Sequence, residues 1–281
     1  TYGDFVSAFS QKTRELIGET ELAARFYSGK IVGITGTNGK TTTTELVEGI
    51  LNHSGLSCVA CGNYGVPFSE VLLMELVPQA VALELSSFQL ETVRELHVHA
   101  AIWLNFSEDH MDRYACINDY HNAKLNIFNN QTENDSAIVL AGEDVGSLSA
   151  SGVSFSSEQD DADYYLDGDL VMNHDQVIIN LQSTRMRGLH NAENVMAAVA
   201  ACHSLGVQFD VAAEALQGFA PPLHRCELIR TLDGVEYIND SKATNLHALD
   251  SALRSQIKPV VLLAGGKEKG LAYDELLGRL E

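Results

Sequence analysis

From residue 30 onward the chain alternates two textures. Short apolar runs, Ile31 to Thr35, Ser57 to Ala60, Ala80 to Leu85, Ala100 to Asn105 and Ala137 to Leu140, read as buried strands. Between them lie Lys40 to His53, Glu70 to Val77 and Asp119 to Asn129, where apolar residues recur three and four apart, the spacing of a helix with one buried face. Strand and helix in alternation predict an α/β fold with a mostly parallel sheet, because parallel neighbours need a crossover and a helix supplies it. From 151 to 183 the segments shorten, and turn signals at Asp167-Gly168 and Asn173-His174 predict a small hairpin region at the sheet edge. An alanine-rich helix follows from Asn191 to Leu205, ended by Gly206.

Phe219-Ala220-Pro221-Pro222-Leu223 interrupts regular structure, since Pro221 has no amide and restricts the residue before it. The boundary between a first domain, 1–220, and a second, 221–281, is expected there. In the second, Glu227 to Leu232 and Val235 to Ile238 flank Asp233-Gly234, a hairpin signal, and Pro259 to Leu263 reads as another strand leading into Gly265-Gly266. The chain opens on Thr1 and stops within the leucine-spaced segment Tyr273 to Leu280, so it is expected to be a piece of a longer protein.

Composition narrows the function. With 45% apolar and 20% charged residues there is material for a packed core. The 38 acidic against 18 basic residues give a net charge of −20, which disfavours nucleic acid and anionic membrane surfaces as partners. No apolar run approaches the roughly 18 residues of a membrane span, so a cytoplasmic, uninserted protein is expected. Five scattered cysteines do not form a secreted disulfide framework, and Cys58 and Cys61, in one strand, are expected to point to opposite faces rather than to share a zinc ion.

The chemistry begins at the first strand. Ile31 to Thr35 runs into Gly36-Thr37-Asn38-Gly39-Lys40-Thr41-Thr42 and then into a helix carrying Leu46, Val47, Ile50 and Leu51 on one stripe. Strand, glycine turn and helix aim backbone amides and a helix N-terminus at phosphates, with Lys40 reaching the β- and γ-phosphates and the Thr41 hydroxyl on Mg²⁺. This is a shortened phosphate loop, with Ile34 where the longer pattern places its first glycine. No Asn-Lys-x-Asp guanine-reading motif is present, which favours ATP.

In such a sheet ligands lie outside the carboxyl ends of the strands. Glu84 ends one strand, where a carboxylate is costly to bury unless it meets a cation such as Mg²⁺. After the next strand, Ser107 is expected to cap a helix whose first turn holds Glu108, Asp109 and His110, and His110 is a candidate metal ligand or substrate-orienting group. Asn63, between Gly62 and Tyr64-Gly65, is a candidate substrate contact that turn chemistry alone would also explain.

The loop Gly36 to Thr42, Glu84-Leu85-Ser86-Ser87-Phe88-Gln89-Leu90-Glu91, Glu108-Asp109-His110-Met111-Asp112-Arg113-Tyr114, Gly188-Leu189-His190-Asn191 with Asn194, Leu223-His224-Arg225, and Asn239-Asp240-Ser241-Lys242-Ala243-Thr244-Asn245 follow one another in order and together resemble the Mur ligases of peptidoglycan synthesis. Within that family the Ser86 to Glu91 string and the Asp240 to Asn245 string look most like the branch that adds D-glutamate to UDP-N-acetylmuramoyl-L-alanine. The resemblance implies a central ATPase domain and the start of a Rossmann-like C-terminal domain, without the uridine-gripping N-terminal domain. It implies ATP and two Mg²⁺ as cofactors. Lys40 and the rest of Gly36, Thr37, Asn38, Gly39, Thr41 and Thr42 would serve the phosphates, and Glu84 and His110 the metals. Lys124 matches a lysine that family members carry as a carbamate, a further anionic metal ligand. Asn191 and Asn194 would lie on the adenine side, Arg225 and Asp240 against the nucleotide, and Asn63, Ser86, Lys242, Thr244 and Lys269 on the substrate side. The implied reaction forms an acyl phosphate from the alanyl carboxylate and ATP, which the amine of D-glutamate then displaces. A sibling Mur ligase, a folylpolyglutamate synthase-like ligase, or a segment that binds ATP without ligating are the alternatives.

Overall fold

The computed structural model describes residues 12–111, 113–220, 224–243, 246–254, 256 and 258–266. A short helix α1 (Glu19–Ala24) leads into β1 (Lys30–Thr35), α2 (Lys40–His53), β2 (Cys58–Gly62), α3 (Phe68–Val71), β3 (Ala80–Glu84), α4 (Ser87–Leu90), β4 (Ala100–Trp103), α5 (Ile117–Leu125) and β5 (Ser136–Leu140). Then come β6 (Ser151–Ser156), β7 (Tyr164–Asp167), β8 (Leu170–Asn173), β9 (Gln176–Asn180), α6 (Leu189–Ser204) and α7 (Phe209–Gly218), followed by β10 (Glu227–Leu232), β11 (Val235–Asn239) and α8 (Leu246–Arg254).

The first nine strands form one sheet in the order β2-β3-β1-β4-β5-β6-β7-β8-β9. The pairs from β2 through to β7 are parallel, and the last two pairs are antiparallel hairpins. Strand order reverses about β1, whose neighbours β3 and β4 both come later in the chain, so a crevice opens at the carboxyl ends of these three strands.

Period-two alternation splits the core into two layers. Val32, Ile34, Cys58, Ala82, Ile102 and Ile138 face α2, α6 and α7, whereas Ile31, Cys61, Leu83, Trp103 and Ala137 face the other side with Phe68, Leu90 and Phe128. Cys58 and Cys61 therefore do point apart, as the strand period requires. On the second face a fully buried carboxylate, Glu21, accepts from the amides of Arg94 (2.8 Å), Glu95 (3.0 Å) and Leu96 (3.2 Å) and from Arg25 Nε (2.9 Å), which ties α1 to the segment before β4. Among the described residues no helix is long and apolar enough to cross a membrane.

Three sequence expectations are corrected. The helix expected over Glu70 to Val77 is a single turn, Phe68–Val71, because only Phe68 and Val71 find the core while Leu73 and Leu76 stay 84% and 87% exposed. No helix starts after Ser107, because the backbone of that stretch is bound elsewhere, as described below. Pro259 to Leu263 carries no strand: it has no partner among the described residues, and Val261 and Leu263 are exposed. The hairpin at Asp233-Gly234 does form, with φ of 51° and 80°, the paired left-handed geometry of a two-residue turn.

Leu51 is fully buried between sheet and helices, so Leu51→Ala is expected to cost about 2–5 kcal/mol. Leu73→Ala, on the exposed turn, is expected to change stability by less than about 0.5 kcal/mol, and urea unfolding of both variants checks the contrast.

Candidate active site

β1 delivers the chain into Gly36, whose φ is 149° and where an added Cβ would lie 2.9 Å from the Cβ of Leu104. The loop bends again at Gly39, with φ of 87°, where a Cβ would meet Asn194 Oδ1 at 2.3 Å. Both positions thus exclude a side chain by backbone conformation and by space. Between them the loop is stitched to the end of β4. Thr37 N donates to Asn105 O (2.9 Å), Asn38 N to Asn105 Oδ1 (2.9 Å), and Asn105 Nδ2 back to Asn38 O (3.1 Å). The Thr37 hydroxyl donates to Ser107 O (3.1 Å) and accepts from Ser107 N (3.0 Å), while Phe106 N donates to Glu143 Oε1 (3.1 Å). The Ser107 carbonyl, the first acceptor of a helix capped there, is thus engaged by Thr37, and His110 takes a left-handed φ of 57° that a first helical turn does not allow. Helix α2 starts at Lys40, and its first-turn amides have no intrahelical acceptor, the arrangement that receives phosphate.

Two lysines converge on this loop. Lys40 Nζ donates to Gly36 O and Thr37 O, both at 2.9 Å. Lys124, from α5, is 1% exposed; its Nζ donates to Gly36 O at 2.7 Å and lies 4.9 Å from the centroid of the Tyr120 ring. The sequence pattern reads Lys124 as a solvated helix lysine, but the structure buries it. Burial lowers the proton affinity of both amines, that of Lys124 strongly, and the charge of Lys40 lowers Lys124 further.

Glu84 closes the cluster. It is 3% exposed, and its Oε1 accepts from Asn63 Nδ2 at 2.8 Å, whereas Oε2 is buried without a hydrogen-bond partner. A buried carboxylate oxygen left unpaired is costly, and a hard divalent cation would satisfy it. Among the described residues no group of three or more His, Cys, Asp or Glu side chains gathers as a metal cage. Mg²⁺ does not demand one, since it binds through one or two carboxylates plus phosphates and water. The donors present, the Glu84 carboxylate with the Thr41 hydroxyl on the adjoining helix, are of the hard-oxygen type it prefers.

His110 takes a left-handed φ of 57°, and its ring sits 5.0 Å from that of Phe88 and 6.0 Å from that of Tyr120. Tyr120 also flanks Lys124, so His110 stands one aromatic ring away from the buried amine. Ser86 caps α4 in a reciprocal capping box with Gln89.

On the opposite side of the loop Asn191 and Asn194 are buried in the first turns of α6, and Thr43 Oγ1 donates to Asn194 Oδ1 at 3.2 Å. Arg225 Nη2 donates to Thr41 Oγ1 at 3.3 Å, bringing the segment before β10 onto the phosphate loop. Asp240 accepts from Cys226 N at 3.1 Å, and Lys242 is exposed. A cavity of about 310 Å³ lies between Asn38, Gly39 and Thr42 of the loop, the start of α6, the turns after β5 and β6, and Arg225, Asp240 and Lys242. Its size suits a nucleoside. Thr244 and Lys269 lie outside the described residues.

Two organising residues are absent from the sequence reading. Asn105, which clamps the phosphate loop, had a legible signal as a polar residue ending a buried strand. Glu143 had none: it accepts from Trp103 Nε1 (2.8 Å) as well as from Phe106 N, contacts that only the fold creates.

Residues 34–202 match the model of the Mur ligase middle domain, 169 of the 281 positions (202 − 34 + 1). The chain belongs to the Mur ligase family. It is 38% identical over 276 residues to the UDP-N-acetylmuramoylalanine–D-glutamate ligase of Alkaliphilus metalliredigens, covering 95% of this chain and 61% of that one. Among solved Mur ligases it is similar in fold to MurF from Acinetobacter baumannii (TM-score 0.68, 20% identity, 84% of this chain and 56% of that one). It is similar also to the MurF ligase of Thermotoga maritima in complex with ADP (TM-score 0.66, 19% identity, 84% and 60%). The chain spans about three fifths of the length of the curated Mur ligases it matches.

Gly39→Ala tests the loop geometry against Gly55→Ala. Both carry left-handed φ, but Gly55 has nothing within 4 Å of its added Cβ. Each is expected to lose about 1–2 kcal/mol of stability from backbone strain. Only Gly39→Ala is expected to weaken ATP·Mg²⁺ binding, by tenfold or more in calorimetric titration.

Proposed function

We propose that this chain is the ATP-binding centre of a ligase that joins D-glutamate to UDP-N-acetylmuramoyl-L-alanine through an acyl phosphate. The observation that carries the reading is the cluster at the end of β1: the buried amine of Lys124 and the half-buried Lys40 share the carbonyl of Gly36 beside a buried carboxylate with one oxygen unpaired. Such a cluster complements a triphosphate and its magnesium. The identity to the D-glutamate ligases supports the substrate assignment.

The phosphates rest on the loop between Gly36 and Thr41 and on the first amides of α2. Lys40 exchanges the two carbonyls it now binds for β- and γ-phosphate oxygens, where it offsets the charge that builds up during transfer. An alanyl carboxylate oxygen bonds to the γ-phosphorus as the bond to the β-phosphate oxygen breaks and ADP leaves. The D-glutamate amine then forms a C–N bond at the acyl carbon, loses a proton, and phosphate departs. Magnesium, when bound, screens the phosphate charge and aligns the transferring group. Glu84 and Thr41 would hold one ion, and His110 would stand by the second. Lys124, whose proton affinity burial lowers, would react in its neutral form with CO₂, forming an N–C bond and releasing a proton, to give an anionic oxygen ligand. Asn63 would face the muramoyl substrate, Ser86, Lys242 and Thr244 would lie on the substrate side, and Lys269 would lie near the D-glutamate carboxylates. No enzyme nucleophile is required.

The 281-residue chain is expected to bind ATP·Mg²⁺ weakly and not to ligate, and Lys40→Ala to weaken that binding at least tenfold. In a protein carrying the flanking segments of its relatives, ATP-dependent phosphate release with the muramoyl-alanine nucleotide is expected to be stimulated by D-glutamate and by no other amino acid offered singly. Stimulation by another amino acid would reassign the substrate, and unchanged ATP affinity in Lys40→Ala would refute the site.

A further inference from the structure

The cavity beside the phosphate loop has two chemically unlike walls. Its cations, Arg225 and Lys242, come from the second domain. The end built by the turns after β5 and β6 and by the start of α6 presents Glu143, Glu158, Gln159 and Glu193, with no lysine or arginine among the described residues there. Glu143 is already committed at both oxygens, to Trp103 Nε1 and Phe106 N. Glu193 differs. It precedes Asn194, the residue that closes on Gly39, so the backbone that seals the phosphate loop also sets the position of this carboxyl group. Ser157, from the turn after β6, donates its hydroxyl to Glu193 Oε1 at 2.6 Å. That fixes the orientation and leaves acceptor capacity over, since a carboxylate offers about four lone-pair positions. Burial and the neighbouring Glu158 and Glu143 raise its proton affinity, and the Ser157 hydroxyl opposes them by favouring the carboxylate, the form that only accepts.

We propose that Glu193, held by Ser157, reads the exocyclic amine of adenine and makes this site select 6-amino over 6-oxo purine nucleotides. The inference rests on the reading that the loop binds a nucleoside triphosphate. An amine at position 6 donates into this acceptor-lined end, whereas a 6-oxo group sets oxygen against oxygen and gives Glu193 no donor beyond Ser157.

Calorimetric titration with Mg²⁺ and ATP, inosine triphosphate, purine riboside triphosphate, which lacks the 6-substituent, or inorganic tripolyphosphate tests this. The unsubstituted chain is expected to bind ATP at least tenfold more tightly than either analogue. In Glu193→Ala that advantage falls to within about twofold while affinity for tripolyphosphate is unchanged, and Glu193→Gln, which keeps an acceptor, retains part of it. An ATP preference that persists undiminished in Glu193→Ala overturns the proposal, as does equal binding of ATP and purine riboside triphosphate by the unsubstituted chain, a comparison that stands even if the alanine variant fails to fold. Binding of none of the four would instead overturn the nucleotide reading itself, and this inference with it.

Discussion

At the carboxyl end of β1 the fold buries charge that it does not neutralise. Lys40 and Lys124 both donate to one backbone carbonyl, and Glu84 beside them keeps an oxygen without a donor. Removing an ammonium or carboxylate group from water costs several kcal/mol unless a partner restores the lost interactions. Here the partners fall short within the chain, and a polyanion with a divalent cation would supply what is missing. The rest of the architecture can be understood as the scaffold that keeps this costly arrangement in place.

The scaffold works because the sheet is packed on both faces. Strands β1, β3 and β4 end side by side, so Gly36, Glu84 and Asn105 meet without any long loop having to order itself. Asn105 holds the phosphate loop from the side of β4, and Asn194 presses on it from α6 at Gly39, the second of the two places where only glycine fits. Glu143 secures the segment after β4 in turn. Lys124 reaches the same loop from α5 on the other face, crossing below the Tyr120 ring. Each functional side chain is thus set by a rigid element whose own position comes from the alternation of apolar residues in the sheet.

Much of this was legible because the sheet is simple. The first five of the parallel strands and the helix after the glycine loop follow from apolar runs bounded by turn residues, and the loop itself follows from its glycines and the Lys40-Thr41 pair. Glu84 stood out as a carboxylate inside an apolar run. What the sequence hid was decided by tertiary contact. Leu73 and Leu76 carry helical spacing yet have no surface to bury against, so the helix stops at Val71. The stretch after Ser107 has a capping residue and acids at helix-start spacing, but Thr37 engages the carbonyl that would accept the first helical bond, and His110 turns left-handed. Lys124 sits on a polar-looking helix, and its burial depends on where that helix docks; only the likeness to a family drew attention to it. Pro259 to Leu263 has strand composition and no strand to pair with among the described residues.

The central claim is that the charge gathered here serves ligands at the expense of the empty protein. Thermal unfolding of Lys124→Met beside the unsubstituted chain, near neutral pH and without nucleotide or CO₂, tests it most directly, since methionine fills similar space with no amine to desolvate. The account predicts a higher melting temperature for the variant together with the loss of stabilisation by added ATP·Mg²⁺. A melting temperature equal to or below that of the unsubstituted chain would show that the amine is fully compensated within the fold, and would contradict it.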